Sequence, residues 1–366
     1  MKVICNRGAL LDALMITSTV ITARTPKPVL QCVRLAAEGN ELTIGATDLE
    51  VSIRYNNVQV EVSEPGVVLV PGEKLRDIVR ESIDDTLSIE SAAEMAKIKG
   101  ADAEFEIYTR DPAEFPEIGS FEGEAQLTVQ GGQLRQLIHQ TIFAASREST
   151  RYAFNGALLN VKNKKISLVA TDGRRLAEAR GELAAGPKGE LRRVIIPSKT
   201  LALVDRLIED HTDAVDVQVN ENNIVVRTQR ATLTSNLLEG QFPPYEDVIP
   251  KETDKKMTAP TADFLSAVRR AALLSNEETK GVRMAFTKKG LVISSQAPGA
   301  GKSTINFACK YDGDDIAIGF NPHFLIEALK VVDSDEVTLE MVAPSRPGLL
   351  RGGANFQYVI MPVNLQ

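Results

Sequence analysis

A pattern that returns after about 124 residues constrains this chain more than any single motif. In the stretch Lys164 to Leu183, KKISLVATDGRRLAEARGEL, apolar Ile166, Leu168 and Ala170 alternate with polar or small residues, the period of a half-buried strand. Thr171-Asp172-Gly173 interrupts that strand and a charged one follows, which predicts a β-hairpin carrying the pair Arg174 and Arg175. Leu42 to Ile53, LTIGATDLEVSI, is its cousin 124 residues earlier, and Leu291-Val292-Ile293-Ser294-Ser295 is a fainter copy 125 residues after Ile166. Pro71 with Leu75, Pro197 with Leu201 and Asn321 with Leu325 keep the same phase. So do the helix-like openings at Leu11/Leu14, Leu134/Leu137 and Leu265/Val268. Phe115-Pro116, Phe242-Pro243 and, more loosely, Phe356 before Met361-Pro362 close the copies. Three domains are expected, at 1–122, 123–252 and 253–366.

Each copy reads as strand, helix and three strands, taken twice. The fold class is therefore α+β, with two helices per copy backed by antiparallel sheets. The spacing predicts helices over 7–24, 72–83, 131–147, 198–208, 262–275 and 321–332. Pro-rich, charged stretches at 110–124 and 243–261 read as linkers short enough to hold neighbouring copies in a near-fixed relation. Repeats stacked head to tail with a constant rotation make an open arc or, with a partner, a closed ring. The net charge of −7 argues against coating nucleic acid by bulk attraction. Its distribution matters more than its sum: the predicted helices carry more Lys and Arg than Asp and Glu, and the remainder carries the reverse. A ring lined by those helices would turn its basic side inward.

Few residues suggest chemistry. Cys5, Cys32 and Cys309 are odd in number and form no C-x-x-C, so buried free thiols are expected. His139, His211 and His323 lack metal-ligand spacing, and neither a metal nor a cofactor is implied. Asp84-Asp85 and Asp314-Asp315 fall in turn-like settings, and the recurring Thr47-Asp48 and Thr171-Asp172 read as strand-ending turns. Pro298-Gly299-Ala300-Gly301-Lys302-Ser303-Thr304 imitates a phosphate-cradling loop, which would make the chain an NTPase. Gln296 stands where that motif's first glycine belongs, however, and Ile305 to Cys309 alternates as a strand where the motif needs a helix. A hairpin turn is the better reading. The end of the sequence, Tyr358-Val359-Ile360-Met361-Pro362-Val363-Asn364-Leu365-Gln366, stays apolar, which suggests a docking groove beside a final core strand. With no run of 18 apolar residues and no secretory signal, a cytosolic protein is expected. A repeat scaffold that binds peptides and no DNA is the remaining alternative.

Five stretches, RYAFNG at 151–156, ATDGRRLA at 170–177, EGQFPPYEDVIP at 239–250, LLSNEETKGVR at 273–283 and YVIMPVNL at 358–365, together resemble one family, the bacterial DNA polymerase III beta subunit or sliding clamp. The resemblance covers the whole chain. It implies a noncatalytic accessory subunit of a DNA-directed DNA polymerase, a three-domain protomer that is half of a homodimeric ring around duplex DNA. It also implies a pocket for short hydrophobic motifs of the polymerase III alpha subunit, the clamp loader, other polymerases and repair factors. On the hairpin side the matching positions are Phe154, Thr171, Gly173, Arg174, Arg175 and Leu176, with Pro243 and Val248 after the second copy. From the third copy come Asn321, Phe324, Val359, Ile360, Met361, Pro362, Val363 and Leu365. Arg174 stands where several members carry His, and Asp247 where they carry a basic residue, which changes the charge of the rim. The DNA-facing positions implied are Arg24, Lys74, Arg147, Arg151, Tyr152, Lys199, Lys280 and Arg283. The dimer seam implied joins Phe105 and Ile107 to Leu273, Leu274 and Ile305.

Overall fold

The computed structural model describes every residue but 23, 59, 93, 147–151, 190, 276–280 and 365–366, and of residue 57 the backbone alone. The first copy runs β1 Lys2–Asn6, α1 Arg7–Thr17, β2 Cys32–Glu38, β3 Glu41–Thr47, β4 Val51–Val58, β5 Val60–Glu64, β6 Gly66–Pro71, α2 Gly72–Glu81, β7 Thr86–Ala92, β8 Met95–Lys99 and β9 Glu104–Tyr108. The second runs β10 Leu127–Gln130, α3 Gly131–His139, β11 Gly156–Lys162, β12 Lys165–Thr171, β13 Arg175–Glu182, β14 Val194–Pro197, α4 Ser198–Leu207, β15 Ala214–Val219, β16 Asn223–Arg227 and β17 Ala231–Asn236. The third runs β18 Lys255–Pro260, α5 Thr261–Ala272, β19 Val282–Thr287, β20 Gly290–Ala297, β21 Gly301–Phe307, β22 Lys310–Asp312, β23 Ile316–Phe320, α6 Pro322–Lys330, β24 Glu336–Met341, β25 Gly348–Gly352 and β26 Phe356–Ile360. This is the expected strand, helix and three strands taken twice, with β5 and β22 added to the outer copies.

Three sequence boundaries need correction. The helix expected over 7–24 opens on the Asn6 side chain, which accepts from Ala9 N at 2.9 Å, but ends at Thr17. There Thr17 Oγ1 donates back to Ala13 O at 2.8 Å, and the hydroxyl and β-branched residues that follow favour turns over helix. The helix expected over 131–147 likewise stops at His139, with Thr141 Oγ1 donating to Leu137 O at 2.7 Å. The stretch expected as a linker to 261 ends sooner, because β18 begins at Lys255. The phosphate-loop look-alike contains the tip of the hairpin that joins β20 to β21, as read from the sequence.

By contact the chain forms two units, which divide the middle copy between them. One comprises Met1–Gly132, Leu183–Leu191 and Lys199–Leu237, and the other Gln133–Glu182, Arg192–Ser198 and Leu238–Gln366. In the first, an eight-stranded sheet runs β10-β15-β16-β17-β4-β3-β2-β6, and a five-stranded sheet runs β5-β1-β7-β8-β9. In the second, a nine-stranded sheet runs β14-β11-β12-β13-β26-β25-β24-β18-β22, and a four-stranded sheet runs β21-β20-β19-β23. The large sheets explain the division, since each is two copies fused. Tyr55 through Val51 of β4 pair antiparallel with Ala231 through Ser235 of β17, and Ala179 through Arg175 of β13 pair likewise with Phe356 through Ile360 of β26.

The two fusions share one register. Across the eight-stranded sheet, Leu69, Arg34, Gly45 and Arg54 continue into Thr232, Arg227, Asp216 and Thr128. Across the nine-stranded sheet, Ile195, Leu158, Val169 and Glu178 continue into Gln357, Arg351, Thr338 and Thr258. Each row starts and ends three residues before a helix, at Gly72, Gly131, Ser198 and Thr261. Two half rows remain with the same phase. Gly319, Arg283, Ser294 and Thr304 end on the edge strand β21, and Ile4, Ser88, Lys99 and Glu104 end on the edge strand β9.

The stretches between copies are plugs as much as linkers. In the first unit Phe115 is buried among Val29, Leu30, Cys32 and Leu69, with Ile118 packed against the cluster. A Cβ at Gly45 would stand 2.3 Å from Ile118 Cδ1, so the glycine opens the notch that Ile118 fills. Further along, the Arg227 guanidinium lies 4.0 Å over the Phe121 ring. In the second unit Tyr245 takes the same part, buried with Leu158, Val169, Leu176, Ile195, Leu349 and Val359 beside Phe242. Truncating a buried aromatic removes both transfer energy and packing. Phe115→Ala is therefore expected to destabilise the first unit by about 3 kcal/mol, read as a lower unfolding midpoint in urea.

Candidate functional site

The hairpin turn between β12 and β13 is held by its own side chains. Thr171 Oγ1 donates to Arg175 O at 2.6 Å and accepts from Gly173 N at 3.0 Å, while Asp172 Oδ1 accepts from Arg174 N at 2.9 Å. The turn after β3 repeats it, with Thr47 Oγ1 donating to Val51 O at 3.1 Å and Asp48 Oδ1 accepting from Glu50 N at 3.0 Å. Its third position needs a left-handed backbone, φ 86° at Gly173 and φ 78° at Leu49. The repeated Thr-Asp is thus a structural turn, as its recurrence suggested.

What separates the two turns is the side chain that leaves them. Where the first copy has Val51, the second has Arg175, only 9% exposed. Arg175 Nε donates to Asp172 Oδ2 at 3.0 Å and Nη2 to Phe143 O at 2.8 Å, and Nη1 pairs with Glu327 on α6. Its guanidinium lies 4.3 Å from the Phe324 ring centroid and 5.5 Å from that of Phe143. Beneath it, Tyr358 Oη donates to Phe324 O at 3.1 Å. Burial pushes the Tyr358 phenol well above its ordinary value. Arg175 is thus a clamp on the turn and on α6 in place of a free cation.

Around this post the other expected residues divide by accessibility. Thr171, Leu176, Asn321, Val359 and Ile360 are buried and build the floor, Asn321 by capping α6 through His323 N at 3.0 Å. The Phe154 ring lies 6.5 Å from that of Phe242, and a Cβ at Gly173 would touch it at 3.6 Å. Pro243 follows Phe242, and Val248 ends the short turn Tyr245–Asp247 with 48% exposure. The chain beyond β26 is tied down by alternate amides, Met361 N donating to Arg174 O at 3.0 Å and Val363 N to Gly319 O at 2.9 Å. Met361 is left 41% exposed, with Arg174 exposed and Phe324, Pro362 and Val363 half-buried. Leu365 lies outside the described residues. The result is an open apolar shelf on a fixed backbone with an arginine at its rim, suited to holding apolar side chains of an extended segment and not to acid–base work. Phe143, Tyr245, Glu327 and Tyr358 were not foreseen in it. Of these, only Tyr245 had a local cue, in the run FPPY.

Among the other expected residues, Arg24, Lys74, Lys199 and Arg283 are exposed and Tyr152 is 69% exposed, while Arg147, Arg151 and Lys280 lie outside the described residues. Lys199 is paired with Asp48. The exposed charges of the helices are mainly basic: Lys74, Arg80, Lys199, Arg206, Arg269, Arg270 and Lys330 against Asp12, Glu73, Glu81 and Asp263. Phe105 on β9 is 41% exposed and Leu273, just past α5, is 80% exposed, with Ile107, Leu274 and Ile305 half-buried. No group of carboxylates, histidines or cysteines among the described residues could hold a metal, and no helix among them is long and apolar enough to cross a membrane.

Models of the DNA polymerase III beta subunit match the chain in series, the N-terminal domain over 1–119, the central domain over 128–244 and the C-terminal domain over 246–364. The chain belongs to the DNA polymerase III beta subunit family. The beta sliding clamp of Pseudomonas putida is 33% identical over 365 residues, covering 98% of this chain and 99% of that one, and that of Chlamydia pneumoniae is 29% identical over 366. The crystal structure of the Pseudomonas aeruginosa DNA polymerase III subunit beta superposes with TM-score 0.92 at 30% identity over the full length of both chains. The Bacillus subtilis sliding clamp does so with TM-score 0.95 at 25% identity. Membership gives the three-domain clamp fold and a part in DNA replication, as an accessory processivity factor.

In this clamp the packing of Tyr245 has a pH signature. Burial, helped by Glu178 and Glu246, pushes its phenol up to about 12. The folded state then holds the proton more tightly than the unfolded chain, so its stabilising part is complete below the ordinary phenol value near 10 and is lost as pH climbs toward 12. Replacing Tyr245 by Phe is expected to flatten the decline of the urea midpoint between about pH 10 and 12, followed by circular dichroism.

Proposed function

We propose that two copies of this chain close head to tail into a ring that encircles duplex DNA and slides on it without reading sequence. On the shelf around Arg174 and Met361 the ring tethers the polymerase III alpha subunit, the clamp loader, and other polymerases and repair factors that carry short hydrophobic motifs. The observation that carries the reading is the shared register of the two fused sheets. In each, the last strand of one copy covers the hairpin strand of the copy before it, and the rule leaves one edge of each kind unpaired, β21 and β9. Exposed edges of this kind favour pairing with another chain. Leu273 fits the same picture, since a small cavity of about 100 Å³ beside β9 is lined by Ile83, Leu87, Ile98 and Phe105. The domain limits 1–122, 123–252 and 253–366 and a cytoplasmic location belong to this reading.

Arg24, Lys74, Tyr152, Lys199 and Arg283, with Arg147, Arg151 and Lys280, would meet the phosphates weakly, so that the ring is held by topology. On the shelf, Phe154, Val248, Met361, Pro362 and Val363 would take apolar anchors, with Arg174 at the rim. Retention on nicked circular DNA tests closure: the chain is expected to stay on the circle and run off once it is linearised, and equal retention on both forms would reject the ring. Met361→Asp is expected to leave that retention intact and weaken capture of the polymerase alpha subunit by about tenfold or more, measured by surface plasmon resonance.

A further inference from the structure

We propose that a groove on the linker face of the first unit is a docking site distinct from the shelf, which takes an extended peptide segment of a partner protein with an acidic residue and, four positions away, a basic one. The groove has a volume of about 810 Å³, and its floor is three rungs of the eight-stranded sheet. Arg34, Gly45 and Arg54 form the first rung, Val67, Ala36 and Thr43 the second, and Glu38 and Glu41 the third. Alternate positions along a strand share one face, so the rungs stand on the same side of the sheet, about 7 Å apart. The basic rung is thus about 13 Å from the acidic one.

The groove is open because the first unit lacks what fills the matching place in the second. Arg34, Gly45 and Arg54 stand where the second unit has Leu158, Val169 and Glu178. There Tyr245 covers Val169, and the buried Glu178 is held by Arg180 at 2.8 Å and by Gln357. Arg193 and Glu246 add an ion pair at 3.0 Å. By the same register the first unit has Ile118, Val67 and Gly119 in place of Tyr245, Arg193 and Glu246, so a branched aliphatic replaces the ring and the ion pair is gone. Ile118 sits in the notch of Gly45, in the middle of the basic rung. Among the described residues neither Arg34 nor Arg54 has a hydrogen-bond or ion-pair partner. Glu117, the remaining charge lining the groove, is exposed and pairs with neither, so the place of a carboxylate is left free. Two unpaired guanidiniums on one rung suit a carboxylate, because their planar donors can grip both of its oxygens.

Spacing and charge together choose the segment. An extended chain rises about 3.3 Å per residue, so positions i and i+4 span about 13 Å and point the same way. An acidic side chain over the first rung then meets Arg34 and Arg54, while a basic one over the third meets Glu38 and Glu41. Position i+2 comes down on the middle rung, where Ala36 and Thr43 are small and Val67 offers an apolar side chain 40% exposed. A short apolar residue fits there. Two acids at this spacing would set a carboxylate against Glu38 and Glu41, and two bases a cation against the arginines.

Two fluorescein-labelled, C-terminally amidated peptides, Glu-Ser-Val-Ser-Lys and its isomer Ser-Val-Glu-Lys-Ser, test this on the full-length chain by fluorescence anisotropy. The spaced peptide is expected to bind about tenfold more tightly than the isomer, in which one charge must miss its rung. Arg34→Glu with Arg54→Glu is expected to weaken the spaced peptide by about tenfold or more and to take up Lys-Ser-Val-Ser-Lys, which the unaltered chain refuses. That gain also shows the variant to be folded. Should the double variant not fold, Arg54→Glu alone, at the more exposed arginine, is expected to show a smaller loss and a smaller gain of the same kind. Met361→Asp, on the shelf of the second unit, is expected to change nothing. Equal binding of the two isomers, no measurable binding of either, or loss of binding in the Met361→Asp chain overturns the proposal. None of these outcomes bears on retention by circular DNA, on which the ring reading stands or falls separately.

Discussion

Antiparallel pairing between the last strand of one copy and the hairpin strand of the copy before it is the constraint on which the rest depends. It turns three similar domains into two continuous sheets, of eight and nine strands. Because side chains alternate with a period of two, the register of each join fixes which residues face the linker that crosses it. Val169, Leu176 and Val359 reach one cluster under Phe242 and Tyr245 only because Arg175 meets Ile360 and Leu176 meets Val359. Displacing β26 by one residue would turn Val359 away from that cluster and bring Tyr358 or Ile360 to its face. The linkers complete what the register begins, with Ile118 entering the notch of Gly45 and Tyr245 covering Val169.

The repeat also explains why the two equivalent joins differ, one of them carrying the apolar shelf. Both turns use the same threonine and aspartate, and both put their third residue in the left-handed region. Gly173 meets that demand without a side chain and lets Phe154 approach, whereas Leu49 meets it with strain and a side chain left 49% exposed. At the position after next, Val51 packs into the core, while Arg175 reaches Glu327, Asp172 and the Phe143 carbonyl. A buried guanidinium with three kinds of partner is a rigid post, since each lost contact would leave a polar group unmet. The apolar shelf therefore stands on one buried polar post, with a second arginine, Arg174, exposed at its rim.

Much of this was legible in the residues because local pattern and tertiary pattern agree. Alternation at Ile166, Leu168 and Ala170 marks a strand in any setting, and the recurrence of Thr-Asp fixed the hairpins that lead to both joins. The failures have a common cause in competition between local options. Nothing in an apolar stripe says that the hydroxyl of Thr17 will turn back on Ala13 and close a helix seven residues early, against the 24 expected. Pairs far apart in sequence left no mark at all: Arg175 and Glu327 are 152 positions apart, and Lys199 with Asp48 are 151. The resemblance named Arg175 as part of a pocket. Only the contacts reveal that it is a buried support, bonded to Asp172, Glu327 and the Phe143 carbonyl.

The pairing of Lys199 with Asp48 bears on how an acidic protein can serve DNA. A sliding ring needs its cations close enough to keep the duplex centred and weak enough not to hold any one phosphate, because each strong contact adds a barrier to movement and steepens the dependence on salt. Unopposed lysines and arginines on the exposed helix faces would overshoot. Here Lys199 shares its charge with Asp48, and Lys74 and Arg80 stand beside Glu73 and Glu81 on one short helix. If the helices face DNA as proposed, the acids would lower the depth of each local well while leaving the helices basic in sum. In the proposed ring, retention would fall to closure, which can give strength without touching DNA. On that reading binding strength and mobility would be assigned to different surfaces of the same chain, which a protein that gripped phosphates directly could not do.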